Sequence, residues 1–371
     1  MGIVFSGGAQ LRQGKTEKRE GTDMIRIVLD AMGGDNAPRA IIEGALLALG
    51  EYEDISICLV GKKEAIAEHL RGREYDPERI DVVDAREEIE MAEPPVNAIR
   101  TKKDSSMVVG MNLVAEGKGD VFLTAGSTGA TVAGATLIIR RAKGVERPAL
   151  APVLPTAEGS MLLVDCGANV DCKPSQLRQF GIMGSIYMRT VMGVENPRVG
   201  LINNGAEEEK GNAQTKKAFG LLKDTDINFV GNVEGRDLML GACDVAVSDG
   251  FVGNVVMKFL EGCAKALMSM LKDELMSSTR SKLGAALAKP AFSNFKKKMD
   301  YTEYGGALML GVNGGVIKAH GSSNANAIKN AIRQARTFTQ GGVVEKIKAE
   351  LAAVAEKEAA DRAEKEEKSQ E

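Results

Sequence analysis

The sequence predicts an α/β protein: a three-layer, largely parallel sheet with helices on both faces. Three observations carry this. Short β-branched runs alternate with longer helical stretches from Met24 onward. The runs are continuously apolar, as strands covered on both faces must be. Glycine clusters follow the runs, where strand-to-helix turns gather and ligands bind in such sheets. The 42 glycines among 371 residues, about 11% against a usual 7% or so, follow no triplet period and make no low-complexity linker.

Taken in order, residues 1–23 are polar and aperiodic and read as a disordered extension ahead of Met24. Strands are expected near Ile25–Leu29, Ile55–Val60, Ile80–Val83, Val121–Thr124, Met161–Val164, Arg198–Ile202, Ile227–Val230 and Val245–Val247. Helices are expected over Pro38–Leu49, Ser105–Glu116, Pro174–Met192 and Ala206–Leu222. Residues 24–344 read as one α/β domain. Within it, 255–310 stands apart as a protruding helical arm, because Val255, Phe259, Leu267, Met270 and Leu271 leave little polar surface on a long helix. Its 282–299 segment sets Leu283, Leu287, Phe292 and Phe295 among Lys289 and Lys296–Lys298, a basic amphipathic composition suited to a membrane surface or a dimer contact. The 345–371 tail, with nine acids and six bases, reads as a solvated helix.

Composition narrows the function. Forty-eight Lys+Arg against 51 Asp+Glu give a net charge of −3, which argues against a general nucleic-acid surface. Five cysteines without a C-x-x-C pair make neither a disulfide framework nor a zinc site, so a reduced, cytoplasmic protein is expected. Nothing near Met1 has the build of a secretory leader. The longest uncharged run, Val121–Ile139, carries too many Gly, Thr and Ser to span a bilayer.

Chemistry is expected in the turns. The first strand runs into Asp30-Ala31-Met32-Gly33-Gly34-Asp35, where paired glycines admit close backbone approach and the two aspartates can orient hydroxyls, amides or cations. The fourth runs into Gly126-Ser127-Thr128-Gly129, offering amides and hydroxyls at a helix start, a ready phosphate cradle. Further turns hold Asp165, Asn169 and Lys173; Lys210 and Asn212; Asn232; Asp249, Gly253 and Asn254; and His320. Capping by Asn, Asp or Ser explains any one of these alone, but seven such loops, most at strand ends, form a sharper signal. There is no G-x-S-x-G elbow, no G-x-x-x-x-G-K-[ST] loop and no G-x-G-x-x-G fingerprint. Covalent Ser-His or Cys-His catalysis is therefore disfavoured. The loops suit phosphate positioning and stabilisation of developing charge.

Taken together, the strings DAMGGDNAP (from Asp30), STGA (Ser127), DCGANVDCK (Asp165), QFGIMG (Gln179), EEKGN (Glu208), GNVEG (Gly231), DGFVGN (Asp249), YGGALMLG (Tyr304) and HGS (His320) resemble the phosphate acyltransferase (PlsX) family of bacterial phospholipid synthesis. They cover Met24 to about Arg336 in order. The resemblance implies transfer of a long-chain acyl group from acyl carrier protein to inorganic phosphate, and a fold similar to isopropylmalate dehydrogenase and phosphotransacetylase. It also implies a homodimer, peripheral membrane association, no cofactor or metal, and delivery of product to a glycerol-3-phosphate acyltransferase.

On that resemblance, Ser127, Thr128, the Gly129 amide and Lys210 are the candidates for phosphate, Asn254 for the oxyanion, and Asp249 for orienting phosphate or taking its proton. His320 is a second-line acid for the thiolate. Asp30, Gly33, Gly34, Asp35, Asp165, Asn169, Asn212, Asn232 and Gly253 complete the expected binding set. Arg178, Arg189 and the Lys296–Lys298 run are candidates for docking an acidic carrier protein, and Leu283, Leu287, Phe292 and Phe295 for membrane contact. Asn203-Asn204-Gly205 departs from the expected apolar strand end. Two other readings stay open: a metal- and NAD-dependent β-hydroxyacid dehydrogenase on the shared fold, and a non-enzymatic membrane scaffold built on the arm.

Overall fold

A computed structural model describes residues 24–298 and 301–368. The extension expected at 1–23 lies outside them, as do Met299 and the side chains of Lys296–Lys298. Where the sequence reads as one domain, the chain divides into two compact units. The first is Met1–Ile139 with Lys318–Arg336, and the second is Arg140–Ile317 with Thr337–Glu371.

Unit 1 opens with β1 (Ile25–Asp30), α1 (Arg39–Glu51), β2 (Ile55–Gly61), α2 (Lys63–Leu70) and β3 (Ile80–Asp84). It continues through α3 (Pro95–Thr101), α4 (Ser106–Ala115), β4 (Val121–Thr124) and α5 (Thr128–Gly134). Its strands pair in parallel in the order β3-β2-β1-β4, with Ile25 opposite Ile55 and Ile27 opposite Val121. Ile27, Val28 and Leu29 are all fully buried, which is why this run is apolar without alternation.

Unit 2 contains β5 (Ala149–Ala151), β6 (Val153–Thr156), β7 (Gly159–Val164), α6 (Pro174–Thr190), β8 (Val199–Asn203), α7 (Ala213–Lys223), β9 (Phe229–Glu234) and β10 (Val245–Val247). Then follow α8 (Gly250–Leu275), α9 (Thr279–Lys298), β11 (Ala307–Leu310), β12 (Gly315–Lys318), α10 (Ala325–Gln340) and α11 (Val343–Lys368), the ends of β12 and α10 falling either side of the unit boundaries. One sheet runs β6-β7-β10-β8-β9, parallel except for β6. Parallel strands β7, β10, β8 and β9 end on one edge, so the loops after them share it. Helix α6 supplies the largest buried side chains here, Phe180 and Tyr187. It starts at Pro174, whose missing N–H costs nothing in a first turn, and the Gln176 side chain accepts from the Lys173 amide.

The arm is built of two helices. The Ser278 hydroxyl accepts from the Ser281 amide and starts α9 afresh after Met276. Along α8, Val256, Met257 and Leu260 pack on a core of Met161, Leu163 and Cys166. Beyond them Leu267, Met270 and Leu271 are exposed. The tail also differs from expectation: Val343, Ile347 and Leu351 on α11 are buried, so its first turns belong to the core rather than to solvent.

Candidate active-site loops

In unit 1, β1 ends on Asp30, which is 2% exposed. Its carboxylate accepts from the Thr124 hydroxyl at 2.7 Å and the Met32 amide at 3.1 Å, with Ser106 and the Gly33 amide also bonded to it. Thr124 in turn accepts from the Gly126 amide at 2.9 Å. One acid thus ties together the turns after β1 and β4. Burial pushes its pKa up, and these donors offset part of the rise. A Cβ on Gly33 would lie 2.5 Å from Asp30 Oδ2 and 2.8 Å from the Gly126 amide, so only glycine fits there. Asp30 and Gly33 therefore shape the loops from inside.

The Asp35 amide donates to Gly321 O at 2.8 Å, and Asn36 donates to the Ser322 and Ser323 carbonyls. The HGS string is thereby drawn to the DAMGGD turn. His320 Nδ1 lies 2.8 Å from the Ser322 hydroxyl and 3.2 Å from the Ser322 amide, which holds the imidazole against its own turn. Ser127 is buried and caps α5, accepting from the Ala130 amide at 3.4 Å, while Thr128 and Gly129 are exposed. The sequence reading missed Lys318. Its ammonium is buried on the carbonyls of Ala125 and Ala319, behind the same turn. A lysine closing the apolar run Val316-Ile317 just before HGS was the available signal.

Unit 2 repeats the plan. β7 runs into Asp165, fully buried, with four N–H donors on its carboxylate. Leu150 and Ala168 donate to Oδ1 at 2.9 and 3.2 Å, and the Asn169 amide and side chain donate to Oδ2 at 2.7 and 3.0 Å. Burial raises its pKa against the pull of these donors. With its lone pairs spent on N–H groups, Asp165 has none to give a cation, and it shapes the loop. The DGFVGN turn packs directly on it: a Cβ on Gly253 would stand 2.0 Å from Asp165 O. Asp249 caps α8 by accepting from the Val252 amide at 2.8 Å. The Asn254 side chain lies against Gly167, 3.7 Å from where its Cβ would be, and is exposed.

Asn203, the departure noted in the sequence, has a clear task. It donates to Asn232 Oδ1 at 3.0 Å and to Lys210 O at 3.2 Å, while Asn232 donates to Glu207 O at 2.7 Å. The two asparagines hold the loop that presents Lys210. The Lys210 side chain is exposed and makes no ion pair among the described residues. Asn212 caps α7 through the Thr215 amide, and Gln214 donates to Cys172 O at 2.6 Å, tying α7 to the Asp165 loop. Within that loop, burial first and the Asp165 charge second push the Cys166 and Cys172 thiols up to about 12.

Arg178, a docking candidate, is drawn inward: its side chain is only 12% exposed and pairs with Glu358 of α11 at 2.5 Å. Arg189 is exposed. Leu283, Leu287 and Phe295 are exposed and Phe292 is half-buried. Among the described residues no helix is long and apolar enough to cross a membrane.

The architecture is that of an α/β protein built on largely parallel sheets. A phosphotransacetylase from Streptococcus pyogenes overlays with a TM-score of 0.56 over 85% of this chain and 94% of its own, at 14% identity. The EutD phosphotransacetylase of Staphylococcus aureus gives 0.52 over 85% and 95%, at 16% identity. At these identities the likeness is one of fold. The family described as a fatty acid synthesis protein matches residues 25–346. A phosphate acyltransferase of Clostridium botulinum (strain Loch Maree / Type A3) is 55% identical over 325 residues, 88% of this chain and 97% of that relative. The phosphate acyltransferase of Clostridium novyi (strain NT) is 51% identical over 327 residues, 88% of this chain and 98% of its own. The chain belongs to the phosphate acyltransferase family.

Proposed function

We propose that the protein transfers a long-chain acyl group from acyl carrier protein to inorganic phosphate, yielding acyl phosphate and the free carrier thiol for phospholipid synthesis. The observation that carries this reading is the 55% identity across 97% of a phosphate acyltransferase.

A phosphate oxygen attacks the thioester carbonyl, the tetrahedral intermediate collapses, and the carrier sulfur leaves as a thiolate that takes up a proton. In unit 2, the unpaired Lys210 ammonium supplies charge to the phosphate dianion, and the exposed Asn254 amide donates to the oxyanion. Asp249, whose second oxygen is not used in its cap, orients phosphate or accepts its proton. Of the unit 1 candidates, Thr128 and the Gly129 amide suit phosphate oxygens, and His320, when protonated, is the second-line acid for the thiolate. The remaining candidates act by shape: Asp30, Gly33, Asp165, Asn169, Asn232 and Gly253 hold the loops that present these groups. In the same reading the exposed α8 face pairs with a second copy of the chain. The apolar residues of α9 rest on a membrane from the cytoplasmic side, where a glycerol-3-phosphate acyltransferase consumes the product.

The test is an assay of long-chain acyl carrier protein with phosphate, the product trapped by hydroxylamine. Phosphate-dependent hydroxamate is the expected result. Reduction of NAD with a β-hydroxyacid would establish the dehydrogenase instead, and neither reaction would leave the scaffold.

A further inference from the structure

We propose that the basic loop Arg140–Arg147, with Lys173, is the surface on which the acidic carrier protein docks. The proposal rests on the acyl-transfer reading above and adds to it the place where the protein substrate binds.

The segment Arg140-Arg141-Ala142-Lys143-Gly144-Val145-Glu146-Arg147 carries four cations in eight residues. Arg140, Arg141, Lys143 and Arg147 are all exposed. Elsewhere on the surface basic side chains commonly meet acids, as in Arg26–Asp120, Lys62–Glu88, Arg198–Asp244 and Arg336–Asp54. Among the described residues none of these four cations, nor Lys173, is in an ion pair. The one acid inside the segment is engaged: Glu146 accepts from the Ser175 hydroxyl at 3.0 Å, two residues from Lys173. A run of like charge left unneutralised costs self-repulsion, which an acidic partner relieves.

The loop is rigid for a surface segment. Gln179 accepts from the Glu146 amide at 2.8 Å and donates to Gly144 O at 3.0 Å. Asn313 fixes the other end, its amide on Arg140 O at 2.9 Å and its side chain on Arg141 O at 2.8 Å. Arg140 itself is held at φ 69, a left-handed conformation that side chains rarely adopt. Cations fixed in advance lose little freedom when a partner binds.

Position completes the argument. Pro148, the next residue, accepts from Asn169 at 2.7 Å, and Leu150 donates to Asp165. The basic loop therefore runs directly into the turn that shapes the acyl-transfer machinery. A carrier protein seated on it would have its flexible thioester arm starting beside that turn.

The test compares the full-length enzyme with Lys143→Glu, Arg147→Glu and the double variant, using long-chain acyl carrier protein and, separately, a small acyl thioester lacking the protein. Apparent KM for the carrier substrate is expected to rise about tenfold in the double variant, with its salt dependence flattened. Rates with the small thioester should stay at the wild-type level. Fluorescence anisotropy of labelled carrier protein should show the same loss of binding. Arg71→Glu with Lys103→Glu, an equal change of charge in unit 1, should leave both readouts unchanged. Wild-type KM and binding in the double variant, or an equal loss toward the small thioester, would overturn the docking surface. Absence of phosphate-dependent product from the wild-type enzyme would instead overturn the acyl-transfer reading itself.

Discussion

Asn169 donates twice to Asp165, through its backbone at 2.7 Å and its side chain at 3.0 Å, both to Oδ2. With Leu150 and Ala168 on Oδ1, every bond to this carboxylate comes from a nitrogen that cannot reverse its role. Asp30, by contrast, is bonded partly by the hydroxyls of Thr124 and Ser106, which can turn and accept. Asp165→Asn, placing an amide NH₂ against fixed donors, should cost about 3 kcal/mol in urea unfolding, and Asp30→Asn about 1 kcal/mol. Equal losses would show that the two carboxylates are held in the same way.

The buried Asp30 carboxyl also predicts a pH signature. Its folded pKa is raised, chiefly by burial, so the native state holds the proton more tightly than the unfolded chain. Its contribution is complete below about pH 3.9 and is lost as pH rises through the folded value. The stability of wild type relative to Asp30→Asn should therefore fall with rising pH in denaturation series, and a difference that grows with pH would contradict the assignment.

Gly253 and Gly220 should respond oppositely to alanine. A Cβ at 253 strikes the Asp165 carbonyl at 2.0 Å, whereas at 220, within α7, nothing lies within 4 Å. Thermal melts should show Gly253→Ala destabilised by about 3 kcal/mol and Gly220→Ala stabilised by about 0.5–1 kcal/mol.

Lys210 and Asn254 present exposed side chains, so their removal should spare the fold and injure the reaction. Lys210→Ala and Asn254→Ala are each expected to lower kcat by about 100-fold or more with melting temperatures near wild type. Near-normal acyl phosphate formation by both would remove them from the chemistry.

Leu287 and Phe295 are 79% and 50% exposed on α9. The variant Leu287→Glu, Phe295→Glu should float poorly with anionic liposomes in a density gradient, since burying each charge opposes insertion of the apolar face. Flotation equal to wild type would exclude α9 as the contact.

Much of this was legible in the sequence because fully buried parallel strands have a plain signature. Val121–Thr124 and Val245–Val247 fall where the apolar runs put them. The strands β5, β11 and β12 were not found; Ala149-Leu150-Ala151 and Ala307-Leu308-Met309-Leu310 hold no β-branched residue to mark a strand. Helix α7 begins at Ala213 rather than Ala206, since the stretch before it is the loop held by Asn203 and Asn232, and Asn212 supplies the cap. The DAMGGD and DGFVGN turns announced themselves by composition. What composition could not convey is that Asp30 and Asp165 face inward, because a carboxylate spent on neighbouring amides and one offered to a ligand are spelled alike. Lys318 escaped for the same reason, its burial being a property of the folded sheet.

The two cysteines beside the Asp165 turn bear on how the proposed transfer would run. With Cys166 and Cys172 held at about 12, roughly one thiol in 10⁵ is ionised at neutral pH. Neither thiol is therefore a ready acceptor for an acyl group, and in the proposed reaction the acyl group would pass directly from thioester to phosphate without an acylated protein sulfur at this turn. On that reading a shortage of phosphate leaves the thioester intact on its carrier.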